Sequence, residues 1–180
     1  CIINKCAFKN CTMLGEIKMP SNTYSIEDST FEGCISLKKI VIHYRKVCIM
    51  KCAFKNCTNL FDINDNCFDI IEEQAFFGCS SLKKLDSMYN LRSISDSAFE
   101  NCTSLKEVLL HDNLVEIGKC AFKNCSKINS ILFNKKITEI KESVFEECKS
   151  LKDLKCNTKL DKIGKCAFKN CSSISKIIIN

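Results

Sequence analysis

Phenylalanine recurs along this chain at a nearly constant step. Phe8, Phe31, Phe54, Phe76, Phe99, Phe122, Phe145 and Phe168 are separated by 23, 23, 22, 23, 23, 23 and 23 residues. Other apolar positions keep fixed offsets from them. An isoleucine stands five residues before each Phe, and a small or β-branched residue, usually Ala, immediately before it. A cysteine follows three residues later, Leu or Ile six later, and Leu, Ile or Val nine later. The stretch from six to eleven after the Phe reads L-x-x-I-x-I, as in Leu37 to Ile42, and its alternation at the end predicts a strand. Two residues after the Phe lies Asn or Gly in seven of eight repeats, which predicts a tight turn with positive φ. Such a unit buries its apolar face only against copies of itself. The prediction is one solenoid over residues 1–180, made of about eight repeats of 22–23 residues.

A repeat of this length with L-x-x-L-x-L is the signature of leucine-rich repeats. The segment Val115-Glu116-Ile117-Gly118-Lys119-Cys120-Ala121-Phe122-Lys123-Asn124-Cys125, followed by an Ile-x-x-Ile strand, resembles the BspA-like class of that family. Its pattern is roughly I-G-x-x-A-F-x-x-C-x-S-L-x-x-I-x-I-P, and the resemblance spans the whole chain. It implies a leucine-rich-repeat right-handed horseshoe with parallel β-strands on the concave face. A short extended segment and a helical turn around Ala-Phe would lie on the convex side. It also implies a surface protein, attached to or secreted from the cell, that acts in adhesion or host-protein binding. A cytoplasmic scaffold or adaptor built on the same repeats is the alternative. The chain departs from the pattern in two ways: the proline after the strand survives only as Pro20, and the glycine after the Ile only as Gly118 and Gly164.

Sixteen cysteines are enough to raise the possibility of a secreted disulfide scaffold. Their placement argues otherwise. Eight fill one repeat position and form a ladder, whose parallel side chains do not face one another as a bridge requires. Cys6, Cys52, Cys120 and Cys166 each sit two before a Phe, in repeats that are never adjacent. Cys1, Cys48, Cys67 and Cys156 occupy unrelated positions. A reduced core ladder is expected, because a free Cys packs as a small hydrophobe. No C-x-x-C pair is present, so no metal site is expected. Lysines flanking Cys6, Cys52, Cys120 and Cys166 would favour a reactive thiolate, but acidic neighbouring repeats offset them.

Charge supplies a second pattern. Three before and one after each Phe, the signs run plus, minus, plus, minus, minus, plus, minus, plus. The first pairs are Lys5/Lys9, Asp28/Glu32 and Lys51/Lys55. Glu73 stands in the fourth repeat with Phe77, followed by Asp96/Glu100, Lys119/Lys123, Glu142/Glu146 and Lys165/Lys169. Stacked neighbours meet opposite charge at six of seven junctions, which predicts control of stacking register rather than large stability. The net charge of +6 comes with only two Arg and no basic cluster, so nucleic acid is not an expected partner.

The strand positions eight, ten and twelve after the Phe are expected to point outward from the concave face. Adjacent strands would present Asp86, Leu109, Leu132 and Lys155 in one row, flanked by Met88, His111 and Asn134. An apolar centre with a polar rim is the signature of a protein or extended-peptide site. No catalytic motif is present, and His43 and His111 lie three repeats apart, so neither an enzyme, a cofactor nor a small-molecule substrate is expected. Any membrane association would run through an anchor outside these residues. Asp65 and Ser87 stand where inward apolar residues belong, beside a repeat one residue short, and a local register shift should turn Asp65 outward. Five N-C-S/T sequons, at Asn10, Asn56, Asn101, Asn124 and Asn170, coincide with the turn position and admit glycosylation. A first residue of Cys1 and the lack of polar capping repeats read as a piece of a longer protein.

Overall fold

A computed structural model of the chain describes residues 3–43, 46–63, 68–85, 88–156 and 159–179. It is built from short parallel strands in two sets. The first set follows the Phe residues: β1 Glu16–Lys18, β3 Lys39–Val41, β5 Asp62–Ile63, β7 Lys84–Leu85, β9 Glu107–Val108, β11 Ser130–Leu132, β13 Asp153–Cys156 and β15 Lys176–Ile179. These pair as β1-β3-β5, β7-β9 and β11-β13-β15. The second set precedes the Phe residues: β2 Ser25–Ile26, β4 Val47–Ile49, β6 Phe68–Ile71, β8 Ser93–Ile94, β10 Glu116–Ile117, β12 Glu139–Ile140 and β14 Lys162–Ile163. It pairs as β2-β4-β6-β8-β10 and β12-β14. Partners along each face lie one repeat apart, as Ile17↔Ile40 and Ile117↔Ile94 show. The architecture is a parallel β-solenoid.

The core lies between the two strand sets and the Phe segments. Ile40, Leu85, Ile131 and Leu154, nine after the Phe, are buried, while Lys39, Lys84, Ser130 and Asp153 beside them are exposed or nearly so. This is the period-2 alternation expected of a strand with one wet face. Phe rings stack repeat on repeat from Phe8 to Phe168, with centroids 5.2–5.6 Å apart and planes within 8° of parallel.

The segment around each Ala-Phe is not a helical turn, and no helix occurs among the described residues. Two residues per repeat take positive φ. The one after the Phe was expected, and the eight residues there, from Asn10 to Asn170, lie at φ 57–72°. The one before it was not: Cys6, Ser29, Cys52, Gln74, Ser97, Cys120, Ser143 and Cys166 lie at φ 52–57°. All eight are unbranched at Cβ, as this crowded region demands. These residues split the backbone amides into two alternating groups. Ala7, Lys9 and Cys11 donate within the repeat, three residues back, to Asn4, Cys6 and Phe8. Cys6, Phe8 and Asn10 donate to the carbonyls of Asp28, Thr30 and Glu32 in the next repeat, at 2.7–2.9 Å. A helix would use every amide internally and leave none for its neighbour.

β4 pairs with β6 as Val47↔Phe68 and then Cys48↔Ile70, so Asp69 is an extra residue on β6. Asp69 is buried and receives both Nε and Nη2 of Arg92 at 2.8 Å. Asp65, Ser87 and Cys67 lie outside the described residues.

Candidate functional site

The outer face of the first strand set carries most of the expected row. Leu132 lies in register opposite Lys155, and both are exposed. Leu132 is 62% exposed and Leu109, one repeat earlier, 49%. Asp86 lies outside the described residues. Two of the flanking residues are corrected. Met88 is 2% exposed and belongs to the core, and Asn134 is 7% exposed. The outward alternation does not reach these two positions, although His43 at the same offset is exposed. β11 ends at Leu132, after which the chain turns into the second extended segment and draws Asn134 inward. Asn134 shapes that turn: its Nδ2 donates to the carbonyls of His111 and Leu114, and its Oδ1 accepts from the Lys136 amide. His111 is half-buried, with its ring centroid 4.2 Å from that of Tyr89.

Tyr89 was missed. It is 57% exposed and caps His111 from the neighbouring repeat, while its carbonyl accepts from Asn113 Nδ2. Its position, thirteen after the Phe, is charged in the two following repeats, as Asp112 and Lys135, and an aromatic there was the available signal.

The cysteine ladder has a defined chemistry. Each thiol donates to the carbonyl of the Phe one repeat back: Cys34 to Phe8, Cys57 to Phe31, Cys79 to Phe54, Cys102 to Phe76, Cys125 to Phe99, Cys148 to Phe122 and Cys171 to Phe145. The Sγ–O distances are 3.0–3.2 Å. The same Phe carbonyls accept the amide of their own repeat's cysteine, so both lone pairs are used. Burial pushes the thiols of Cys79, Cys102 and Cys125 far above their usual range, and Cys171 up to about 11. They are neutral donors, not nucleophiles. All fourteen described cysteines are free. Burial also raises Cys52 and Cys120, against a thiolate at those positions.

Charged pairs follow the repeat. Lys5–Asp28, Lys9–Glu32, Lys51–Glu73, Lys119–Glu142, Lys123–Glu146 and Lys169–Glu146 bridge adjacent repeats at 2.7–3.6 Å. Glu146 sits between two lysines and is nearly buried. Hydrogen bonds from Lys169, Lys123 and Ser143 hold its carboxyl down to about 2. The sequon asparagines also serve the stack. Asn124 Nδ2 donates to Asn101 Oδ1 and Asn170 Nδ2 to Glu147 Oε1, while the Asn10 side chain lies over Gly33.

A groove of about 530 Å³ along the second strand set is bordered by Lys51, Glu72, Glu73, Asp96, Glu116 and Lys141. Small-molecule sites are mostly apolar and enclosed, so this groove does not have that chemistry. Among the described residues, no three His, Cys, Asp or Glu side chains converge as a metal site.

The chain is similar to several solved structures. The crystal structure of the Treponema pallidum leucine-rich repeat protein aligns with a TM-score of 0.81 at 24% identity, covering 96% of this chain and 82% of that one. A leucine-rich repeat protein from Bacteroides ovatus aligns with a TM-score of 0.67 at 25% identity, over 99% of this chain and 59% of that one. A leucine-rich cell surface protein from Faecalibacterium prausnitzii gives 0.56 at 18%, over 97% and 75%. No curated protein matches. The family model for the BspA-type leucine-rich repeat region matches residues 1–66 and 69–180, in six copies. Repeats of this kind generally mediate protein–protein interaction, on a fold that is typically a non-enzymatic scaffold. This chain belongs to the BspA-type leucine-rich repeat family.

Proposed function

We propose that this repeat region binds a protein or an extended peptide across the outer face of its first strand set. The observation that carries the reading is the pair Leu109 and Leu132, large apolar side chains about half exposed on a sheet face whose other outward positions are mostly charged. Lys155 borders them on one side, and the Tyr89–His111 ring pair stands at the turn beyond Leu109. Apolar anchors within a polar rim are where binding energy concentrates. Asp86 completes the row in sequence. We assign the role to adhesion or host-protein binding at the cell surface, in line with the family and with a structural neighbour described as a leucine-rich cell surface protein.

A random peptide library displayed on phage and selected on immobilised protein provides the test. Selected peptides should bind wild type and the Lys119→Ala/Lys123→Ala variant alike, and lose binding to Leu109→Glu/Leu132→Glu. Both leucines point away from the core, so circular dichroism should show that variant folded. Peptides that bind it undiminished would overturn the placement. A specific observation favours a second reading, a cytoplasmic scaffold using the same face: fourteen cysteines are free thiols, as in reducing compartments. Labelling intact cells with a membrane-impermeant biotin reagent separates the two, since only a surface protein is labelled before lysis.

A further inference from the structure

We propose that the corner where each repeat leaves its Phe segment and enters the first strand set is a docking surface for an anionic lipid membrane, with lysines meeting the headgroups and Phe61 and Ile35 inserted among them. Composition singles this corner out. Across all eight repeats no Asp or Glu stands four to seven residues after the Phe, while six lysines do: Lys38, Lys83, Lys106, Lys127, Lys149 and Lys152. All six are exposed. Lys38, Lys83, Lys106 and Lys152 are at least 23 residues apart in sequence, and the stack sets them in one row, seven after the Phe. Backbone bonds tie neighbours in that row together. The Phe61 amide donates to the Lys38 carbonyl at 3.2 Å, Lys106 to Lys83 at 2.8 Å and Lys152 to Asn129 at 3.0 Å. Paired strands lie about 4.8 Å apart, so Lys83 and Lys106 stand side by side.

Charge at this corner departs from the pattern beside the Phe, where lysines of one repeat meet carboxylates of the next. Here like charge stands beside like, which destabilises a sheet. Among the described residues, Lys149 alone of the six has a carboxylate within ion-pair distance, that of Glu147 at 3.3 Å. Glu107 and Asp153, next in sequence to Lys106 and Lys152, belong to the strand face and do not pair with them. Two large apolar side chains share the corner. Phe61, between Lys38 and Lys83 in the row, is 48% exposed, and Ile35 is 45% exposed. Both lie inside the stack, with repeats on either side, and the equivalents of Ile35 are all Ser, Thr or Lys. A cluster of four to eight lysines is drawn to anionic headgroups, and apolar side chains among them sink into the headgroup boundary. Lysine, a compact charge on a flexible stem, suits such a diffuse surface. Arginine, the residue for forked phosphate recognition, is absent from the corner. A nucleic acid or sulfated glycan would engage the lysines and leave Ile35 without a role. The chain's own side chains, not an anchor, make this contact.

The test sediments the chain with vesicles of phosphatidylcholine alone, or of phosphatidylcholine mixed with phosphatidylserine. The chain should bind the anionic vesicles and not the neutral ones, and binding should weaken as salt is raised. Lys83→Glu/Lys106→Glu should lower the partition coefficient roughly tenfold or more. Lys135→Glu/Lys136→Glu makes the same change of charge at the opposite corner, between the first and second strand sets, and should lower it far less. All four lysines are exposed, so circular dichroism should show both variants folded. The chain has no Trp, so Phe61→Trp places a fluorophore in the corner alone, and its emission should shift to the blue with anionic vesicles. Failure to bind anionic vesicles overturns the proposal, as does equal binding to neutral ones. So do an equal loss in the two double variants and vesicle binding without the blue shift. Binding to heparin but not to anionic vesicles also overturns it, and would make the corner a site for a linear polyanion.

Discussion

Cysteine occupies the ladder because one small side chain must fill a close-packed slot and also donate a hydrogen bond across the repeat boundary. An alanine there would pack but leave one Phe carbonyl lone pair unused. The sequence pattern showed the ladder and its burial. It did not show the thiol–carbonyl bonds, because the acceptor is backbone and backbone leaves no trace in composition. Glu146 is the opposite case, a residue whose neighbours were legible through charge alternation, although its near-burial between Lys123 and Lys169 was not. Its folded carboxyl titrates at about 2, below the value of about 4.3 in an unfolded chain. A depressed carboxyl stabilises the fold above the unfolded value and loses that contribution as pH falls toward the folded value. Glu146→Gln should therefore lower the urea midpoint near neutral pH, by a free energy on the order of 1 kcal/mol after solvent screening. The gap from wild type should close as pH falls from about 4.3 to 2. A gap that persisted at the acid end would mean that the carboxylate is not the source.

The strands and turns of the solenoid were legible to different degrees. The first strand set follows from L-x-x-I-x-I, and the turn after each Phe from Asn and Gly, the residues that occupy positive φ at least cost. The turn before the Phe was hidden, because Cys, Ser and Gln occupy it and none of them signals a left-handed residue. The helical turn failed for the same reason: two left-handed residues four apart interrupt any helix. The misplaced Met88 and Asn134 came from extending a strand period beyond the strand itself. These turns are strained one residue at a time and held by bonds to the next repeat, so they respond to Cβ geometry. Ser97, at φ 54°, should tolerate glycine with unchanged or raised thermal stability. Ser97→Val, with a branched Cβ, should cost at least about 1–2 kcal/mol. Equal melting temperatures for the two variants would contradict the left-handed assignment.

At the scale of the molecule, each repeat is joined to the next by a stacked Phe ring, a thiol-to-carbonyl bond and three backbone bonds, with opposite charges facing at six of the seven junctions. Interactions of this kind are nearest-neighbour, so stability accrues along one axis while the strand face stays free to vary. That division explains why the fold was plain from periodicity and the site was not. Residues such as Leu109, Leu132 and Tyr89 break the repeat instead of following it, and their meaning depends on which side of a strand end they fall. The account rests most directly on the ladder being reduced, buried and donating. Residue-resolved alkylation by mass spectrometry measures all three conditions together, on protein prepared without reductant. Cys6 and Cys11, which are exposed, should label in the native state. Cys34, Cys57, Cys79, Cys102, Cys125 and Cys148 should stay protected until the protein is denatured, and then label fully without reduction. Ladder cysteines that remain unlabelled after denaturation, or that label natively as fast as Cys6, would contradict the account.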